Sequence, residues 1–324
     1  MTGLGTETVP PGEAELAAEF VAFLKAATEK RDPPAARRRF NQARATACLD
    51  AEFIVPDGLP AGHRVGLFAV ARTYRAWIRF ANASSESDRE RDIRGMSIRV
   101  SPVGGQNLTP GVTVQDFVLN SHPVMVAAGA RDFLELLRAN EAGGFRRAIY
   151  FLTHPKSAGI ALAARANPTC HLDIPYWSAT PYRFGPGRAV KYIVRPASPS
   201  RSGKPARLSD TYLRDALRSR LTGAGAAFDF LIQFQTDSRR MPIEDATVEW
   251  KERDSPYHRV ARIAIPPQRF EDDDRLARCE QAAFNPWHCL EDHRPLGSMN
   301  RARREIYQAL AEFRGAASAS APRL

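Results

Sequence analysis

The pattern of apolar and polar residues divides the chain into strand-like and helical segments. Short runs with alternating or continuous apolar residues, bounded by turn residues such as Pro56-Asp57-Gly58, predict strands. The predicted strands are residues 52–55, 76–80, 96–100, 114–119, 189–194, 228–235 and 260–265. Apolar residues at helical spacing predict helices at residues 13–30, 130–139, 145–166, 209–221 and 299–313. Strands in succession with helices inserted predict an α+β fold, an antiparallel barrel with appended helices.

Composition and charge limit the classes of function. The chain has 324 residues, and no run of about 18 apolar residues predicts a membrane span. Residues 1–12 lack the pattern of a signal peptide, so we expect a cytoplasmic protein. The net charge of +10 suits an anionic cofactor, a carboxylate substrate or nucleic acid. The arginines are dispersed and no nucleic-acid-binding motif is found, so we expect neither a nucleic-acid nor a membrane partner.

The cysteines and the C-terminal tail carry two further expectations. The cysteines are scattered and form no close pair that would bind zinc, which predicts reduced thiols in a reducing cytoplasm. They are Cys48, Cys170, Cys279 and Cys289. Residues 315–324 are rich in small residues and are predicted to be disordered.

The last predicted helix contains the first candidate chemistry. Arg303, Tyr307 and Arg314 are four and seven residues apart, offsets that share one helix face. A positive charge near a tyrosine favours the phenolate, a hard anionic oxygen that can ligate ferric haem iron. An arginine can bind a carboxylate such as a haem propionate with two hydrogen bonds. On spacing alone, a surface helix with a half-buried tyrosine is the favoured explanation of the pattern.

Five separated motifs between residues 38 and 314 resemble those of the haem catalases, especially the short catalase-like and catalase-related peroxidase group. They are RFAN (79–82) with ERDIRGM (90–96), QDFVLNSHP (115–123), YWSATPYRFG (176–185) with AVKY (189–192), FDFLIQFQTD (228–237) with MPIEDA (241–246), and FNPWH (284–288). The motifs occur in the family's order, which makes a chance match improbable.

The resemblance implies a catalase-like haem domain at residues 38–314, preceded by an N-terminal helical arm at residues 1–37. It implies haem b as the cofactor, with Tyr307 as the iron ligand and Arg303 one turn before it. The implied propionate-binding residues are Arg39, Arg79 and Arg314. Phe133 matches the phenylalanine at the haem edge, and Asn120 matches the distal asparagine. Met125 and Val126 stand where the family has distal phenylalanines, which implies a differently shaped pocket.

The sequence departs from the family at the distal histidine. Ungapped counting from Arg79 places Gln42 at that position, and no histidine occurs in residues 1–57. Histidine can move a proton between the two peroxide oxygens near neutral pH, whereas glutamine can only donate and accept hydrogen bonds. We therefore expect weak dismutation of hydrogen peroxide. His122, close to Asn120, is a candidate base, and a structural role is its other interpretation.

The remaining polar motif residues are predicted to be structural. They are His288, His293, Glu244 and Asp245, with Cys48 expected to be a buried inert thiol. The leading hypothesis is a haem-dependent oxidoreductase that acts on an organic hydroperoxide or another small organic substrate. The alternatives are a catalase-related peroxidase using hydrogen peroxide, a non-catalytic haem-binding protein, and a scaffold that no longer binds haem. Retention of Tyr307 and its four arginines argues against the last. A homodimer is the expected assembly.

Overall fold

The computed structural model describes residues 3–198 and 203–315. Within these ranges nine strands form one sheet: β1 (Ala45–Val55), β2 (Arg72–Asn82), β3 (Arg94–Ser101), β4 (Gln115–Asn120), β5 (Tyr176–Trp177), β6 (Tyr182–Arg183), β7 (Ala189–Pro196), β8 (Ala226–Phe234) and β9 (Tyr257–Ile265). The α-helices of the same ranges are α1 (Glu13–Arg31), α2 (Ala130–Glu141), α3 (Gly144–Thr153), α4 (Pro155–Ala163), α5 (Tyr212–Gly223), α6 (Asp273–Gln281) and α7 (Ser298–Phe313).

The strands close into an eight-stranded antiparallel barrel. The sheet order is β5-β4-β3-β2-β1-β9-β8-β7-β6, and β5 also pairs with β7, which completes the ring and leaves β6 as an extra strand. The barrel interior is filled by side chains: the ring of Phe230 lies 5.1 Å from that of Phe53 and 4.7 Å from that of Phe117. The predicted α+β architecture, an antiparallel barrel with appended helices, is confirmed.

A second apolar cluster lies among α1, α2 and α7. Leu16, Phe20 and Leu24 of α1 are buried there, at the spacing that predicted this helix. Phe133 of α2 and Tyr307 of α7 are partly buried against the same cluster. The N-terminal arm therefore packs against the helix that carries the predicted haem ligand.

The structure differs from the predicted elements where local pattern carries little information. The helix predicted at residues 145–166 is two helices, because Pro155 lacks a backbone N–H and disfavours helical geometry at His154, whose φ and ψ are −126° and 65°. Strand β1 starts at Ala45, seven residues before the predicted strand. Its first five residues are all buried, so they show no alternation. Helix α6 was not predicted.

The prediction of reduced thiols is wrong for two of the cysteines. Cys48 on β1 and Cys279 on α6 form a disulfide with a Cα–Cα distance of 6.3 Å, so Cys48 is not the inert thiol expected. The two residues are 231 apart in sequence, and only the packing of α6 against β1 brings them together. Cys170 and Cys289 are buried thiols. Of the tail predicted to be disordered, residues 316–324 lie outside the described residues.

Candidate functional site

Helix α7, which carries Tyr307, is fixed at its N-terminal end. It begins after Gly297, whose φ of 87° favours glycine and whose position leaves no room for a Cβ beside the carbonyl oxygen of Ile243. The backbone N–H of Ser298 donates to Oε2 of Glu244 at 2.8 Å. One turn later Arg301 forms ion pairs with three carboxylates, those of Glu7, Glu13 and Glu244. These contacts fix the helix relative to the barrel and the N-terminal arm.

Tyr307 and Arg303 lie on the same side of α7. The hydroxyl of Tyr307 makes no hydrogen bond within the described ranges, and the ring is half-buried. Arg303 donates to Oδ1 of Asn300 at 3.1 Å and to Oγ1 of Thr180 at 3.3 Å rather than to Tyr307. Burial raises the pKa of the nearby Tyr182 phenol, Arg303 opposes this rise and Tyr307 adds to it. Arg303 and Tyr307 therefore both lie close enough to influence Tyr182. The four-residue spacing does place Arg303 and Tyr307 on a shared face.

The three arginines expected to bind propionates converge from separate parts of the chain. Arg39 precedes β1, Arg79 is on β2 and Arg314 follows the last turn of α7. All three contact Glu280, the penultimate residue of α6. Nη2 of Arg79 lies 3.1 Å from Oε1 of Glu280, Nη1 of Arg39 bonds Oε2, and Nη1 of Arg314 donates to the backbone carbonyl at 3.1 Å. We call Arg39, Arg79 and Arg314 the arginine cluster.

The arginine cluster is positively charged, with Arg79 buried and Arg39 and Arg314 partly buried. Arg79 is 1% exposed, and burial lowers the pKa of its guanidinium. Burial, with Arg79 and Arg314 nearby, holds the pKa of Arg39 well below its ordinary value, and burial lowers the pKa of Arg314. Burial acts to raise the pKa of Glu280, but Arg79 and Arg39 outweigh it and the pKa is lowered. Arg39 and Arg79 thus bind the carboxylate of Glu280, and Arg314 binds its backbone carbonyl.

Gln42 and Asn120 lie close to one another across strand β3. The side-chain amide of Gln42 covers Gly95, and Gly95 is the Cα partner of Asn120 in the β3–β4 pair. Gln42 has a positive φ of 56°, which non-glycine residues seldom adopt. Its backbone N–H donates to the carbonyl of Ala83 at 2.8 Å, and its own carbonyl accepts from Nη2 of Arg79 at 2.7 Å. The arginine cluster therefore also fixes the backbone of the predicted distal residue.

The other predicted pocket residues are placed less closely together. Strand β4 ends at Asn120, so strand alternation does not place the side chain of His122 on the same face as that of Asn120. The backbone N–H of His122 donates to Oδ1 of Asn120 at 2.9 Å. Burial lowers the pKa of His122, and Glu249 opposes that shift. The ring of Phe133 lies 5.9 Å from that of Phe20. Sδ of Met125 accepts a hydrogen bond from Nη2 of Arg303 at 3.8 Å, and Val126 and Phe133 pack against the same small apolar cluster.

The residues predicted to be structural make internal contacts. His288 Nδ1 lies 2.9 Å from Oδ2 of Asp116, and Nε2 of the buried His293 accepts from the backbone of Leu67 at 3.0 Å. Asp245 accepts the backbone N–H of Thr247 at 2.9 Å. Glu244 likewise binds the first residue of α7. These four residues therefore stabilise the fold and do not line the candidate site.

Sequence reasoning missed Glu280. The N-cap Asp272, which accepts from the backbone of Arg275, and the polar residues after it are a local helix signal for α6. No local signal connects Glu280 with Arg39 or Arg79, which are 241 and 201 residues away. Its role follows only from the packing of α6 against β1.

Comparison with known proteins gives structural matches only. No protein-family model matches the chain, and no curated protein does so. Three of the similar solved structures are a fungal catalase (17% identity, TM-score 0.66), a bacterial catalase (16%, 0.66) and catalase A from Saccharomyces cerevisiae (17%, 0.67). The aligned regions cover 89%, 97% and 97% of this chain, which spans 61%, 63% and 67% of those chains.

These matches establish the fold. The expected catalase-like antiparallel barrel with appended helices is confirmed, since the likeness covers nearly the whole chain. At 16–17% identity it carries no residue roles and no activity. No helix in the described ranges combines the length and apolar character that crossing a membrane requires.

Proposed function

We propose that this protein is a haem-dependent oxidoreductase of the catalase superfamily that acts on an organic hydroperoxide or another small organic substrate. Tyr307 would ligate the iron and the arginine cluster would bind the propionates, with Phe133 at the haem edge. The observation that carries the proposal is the convergence of Arg39, Arg79 and Arg314 on one residue, Glu280, whose carboxylate binds the first two and whose backbone carbonyl binds the third.

The residues of the site fit haem b. A carboxylate already lies on the arginine cluster, so the guanidiniums are arranged to bind this group. Three positive charges and one negative charge leave an excess of two, which matches two propionates. Nε of Arg79 is buried without a hydrogen-bond partner in the described part of the chain, so donor capacity remains. The phenolic oxygen of Tyr307 also makes no competing hydrogen bond there.

The distal residues favour a substrate other than hydrogen peroxide. Bound haem supplies the redox chemistry that cleaves or rearranges an O–O bond. Gln42 and Asn120 can orient a bound oxygen through hydrogen bonds, but neither titrates near pH 7. The rearrangement of an organic hydroperoxide requires less proton transfer between the two peroxide oxygens than the cleavage of hydrogen peroxide with release of water. General acid–base catalysis contributes about 10²- to 10⁴-fold, so dismutation should be weak by about this factor.

The same amide chemistry favours one alternative. A site without a titrating distal base also suits a haem-binding protein without turnover. Reaction of the loaded protein with hydroperoxides distinguishes the two functions, because only the enzyme would consume substrate repeatedly.

The first experiment is haemin titration followed in the Soret region. The wild-type protein should bind one haemin per chain and give the spectrum of a tyrosinate-ligated ferric haem. Tyr307→Phe should lose that spectrum. Tyr74→Phe is the matched control, because the Tyr74 hydroxyl makes only a 3.5 Å hydrogen bond to a backbone carbonyl. A wild-type protein that takes up no haemin contradicts the proposal.

The second experiment tests the distal side in the haemin-loaded protein. Cumene hydroperoxide should be consumed faster than hydrogen peroxide. Gln42→His should raise oxygen release from hydrogen peroxide by about 10²-fold or more, since it restores a group that titrates near neutral pH. Equal oxygen release by both proteins, with haem content unchanged, would show that Gln42 does not occupy the place of the missing base.

A further inference from the structure

Glu280 links the arginine cluster to a covalent cross-link. Its carboxylate bonds Arg39 and Arg79, and its Oε1 accepts the backbone N–H of Ala45 at 2.9 Å. The carbonyls beside it bind the cluster as well: Nη2 of Arg39 donates to that of Cys279 at 3.1 Å and to that of Ala282 at 2.6 Å. The C-terminal end of α6 thus holds these guanidiniums through both its carboxylate and its carbonyls, as the helix dipole favours.

The Cys48–Cys279 disulfide lies directly beside these contacts. Cys48 is the Cα partner of Arg79 in the β1–β2 pair, and Cys279 immediately precedes Glu280. Cys279 is the one buried residue of α6, whose remaining side chains are mostly polar. Apart from Cys279 and Glu280, α6 contacts the barrel through an ion pair between Arg275 and Asp50 at 2.8 Å. The disulfide is therefore the covalent attachment of the turn that carries Glu280, beside the hydrogen bonds of Glu280 to Arg39, Arg79 and Ala45.

The charges explain why the cluster needs such a residue. Guanidiniums this close repel one another: Arg79 and Arg314 lower the pKa of Arg39, and Arg79 lowers the pKa of Arg314. Glu280 offsets one charge and fixes the direction of Arg39 and Arg79 by hydrogen bonds, yet its side chain is 40% exposed and so lies at the solvent side of the cluster. The two remaining positive charges are left for a dianionic ligand.

We propose that Glu280 is a positioning residue for the arginine cluster, and that the Cys48–Cys279 disulfide holds it in place, so that reduction weakens binding of a dicarboxylate ligand. The inference rests on the proposed function, in which that ligand is haem. Reduction by dithiothreitol transfers two electrons to the S–S bond and yields two protonated thiols, while the reagent becomes its cyclic disulfide. The last turn of α6 then keeps only its non-covalent contacts, so Glu280 is held less firmly against Arg39 and Arg79.

The test compares haemin affinity in oxidised and reduced protein. Reduction, Cys279→Ser and Glu280→Gln should each weaken haemin binding by about tenfold, the lower end of the loss seen when a residue that orients a ligand-binding group is removed. Reduction should have no further effect on Glu280→Gln, because the disulfide acts through this carboxylate. Haemin dimethyl ester, whose carboxylates are esterified, should bind all forms alike.

Asp274→Asn is the matched control. It removes an exposed carboxylate from the same helix that makes no ion pair in the described ranges, so its haemin affinity should equal that of the wild type. Tighter binding by Glu280→Gln would overturn the proposal, because Glu280 would then compete with the propionates. An unchanged affinity on reduction, or an equal effect of reduction on Glu280→Gln, would also overturn it.

Hydrogen exchange of the Ala45 amide separates this inference from the proposed function. That amide reports on Glu280 without any haem, and its exchange should accelerate about tenfold on reduction. If the wild-type protein binds no haemin, the proposed function fails, and the Ala45 amide still decides whether the disulfide holds Glu280. Unchanged exchange on reduction overturns the positioning role.

Discussion

Gly95 on β3 lies beneath the side chain of Gln42, and its replacement by alanine tests the distal site. A Cβ on Gly95 would lie 2.6 Å from Oε1 of Gln42 and closer still to Cδ and Nε2, well inside the roughly 3.5 Å of ordinary contact. The backbone of Gly95 cannot move away, because it is paired on both sides, with Ala81 of β2 and Asn120 of β4. The amide of Gln42 must therefore rotate out of its position.

The expected cost is modest because the displaced group is the end of a flexible side chain. Overpacking typically costs about 1–3 kcal/mol, and we expect about 1 kcal/mol for Gly95→Ala. In a Gln42→Ala background the clash is absent, so Gly95→Ala should be neutral or slightly stabilising. Urea unfolding of the wild type, both single variants and the double variant gives the coupling energy, expected at about 1 kcal/mol.

The coupling energy between the two substitutions tests whether the side chain of Gln42 lies over Gly95. If Gly95→Ala costs the same in both backgrounds, the two side chains do not meet, and the distal position of Gln42 loses its structural support. If the coupling is present, the haemin-loaded Gly95→Ala and Gln42→Ala proteins should react with cumene hydroperoxide at similar rates, because both remove the same amide from the pocket.

Three further predictions concern buried polar groups. Asp116→Asn removes the counter-charge of the buried Arg99 and should lower the free energy of unfolding in urea by about 3–5 kcal/mol. The control Asp229→Asn, in a more exposed ion pair, should lower it by under about 1 kcal/mol. Similar losses in the two variants would contradict the difference expected between a buried and an exposed pair. Burial lowers the pKa of His293 to about 4, so its contribution is complete above the unfolded pKa near 6.5 and is lost as the pH falls toward 4. The resulting loss in the free energy of unfolding, about 3 kcal/mol, should be smaller in His293→Gln. If the free energy of unfolding depends on pH equally in both proteins, His293 is not the residue responsible. The buried hydroxyl of Tyr182 lies beside the Thr180 side chain but makes no hydrogen bond of ordinary geometry in the described ranges. Tyr182→Phe should therefore change the free energy of unfolding by less than about 1 kcal/mol, and a larger loss would show that the contact with Thr180 is a full hydrogen bond.

Local pattern was sufficient for most elements of the fold. Strand β8 alternates between buried and partly buried residues, and α1 places Leu16, Phe20 and Leu24 on one face, so both could be predicted from their periods. The two-residue strands β5 and β6 are too short to show a period, yet β5 closes the barrel. Closure depends on pairing between distant segments, which periodicity does not report.

The candidate site was predictable in composition but not in arrangement. The spacing of Arg303 and Tyr307 follows from helix geometry, and the family motifs selected Arg39, Arg79 and Arg314. The sequence contains no sign that these three arginines meet at Glu280, because α6 reaches Arg39 and Arg79 across more than 200 positions and Arg314 across 34. Nor does it show that Gln42 covers Gly95, since a loop residue with positive φ has no repeating pattern.

The sequence by itself therefore determined most of the longer strands and helices, the barrel class and the identity of the candidate haem-binding residues, because period and motif spacing are local properties. Only the tertiary structure decided that Cys48 and Cys279 are joined, that Glu280 completes the arginine cluster, and that β4 ends before His122. Each of these depends on which distant segments share a surface. That choice is set by the free energy of burying the whole chain, and no short stretch of residues encodes it.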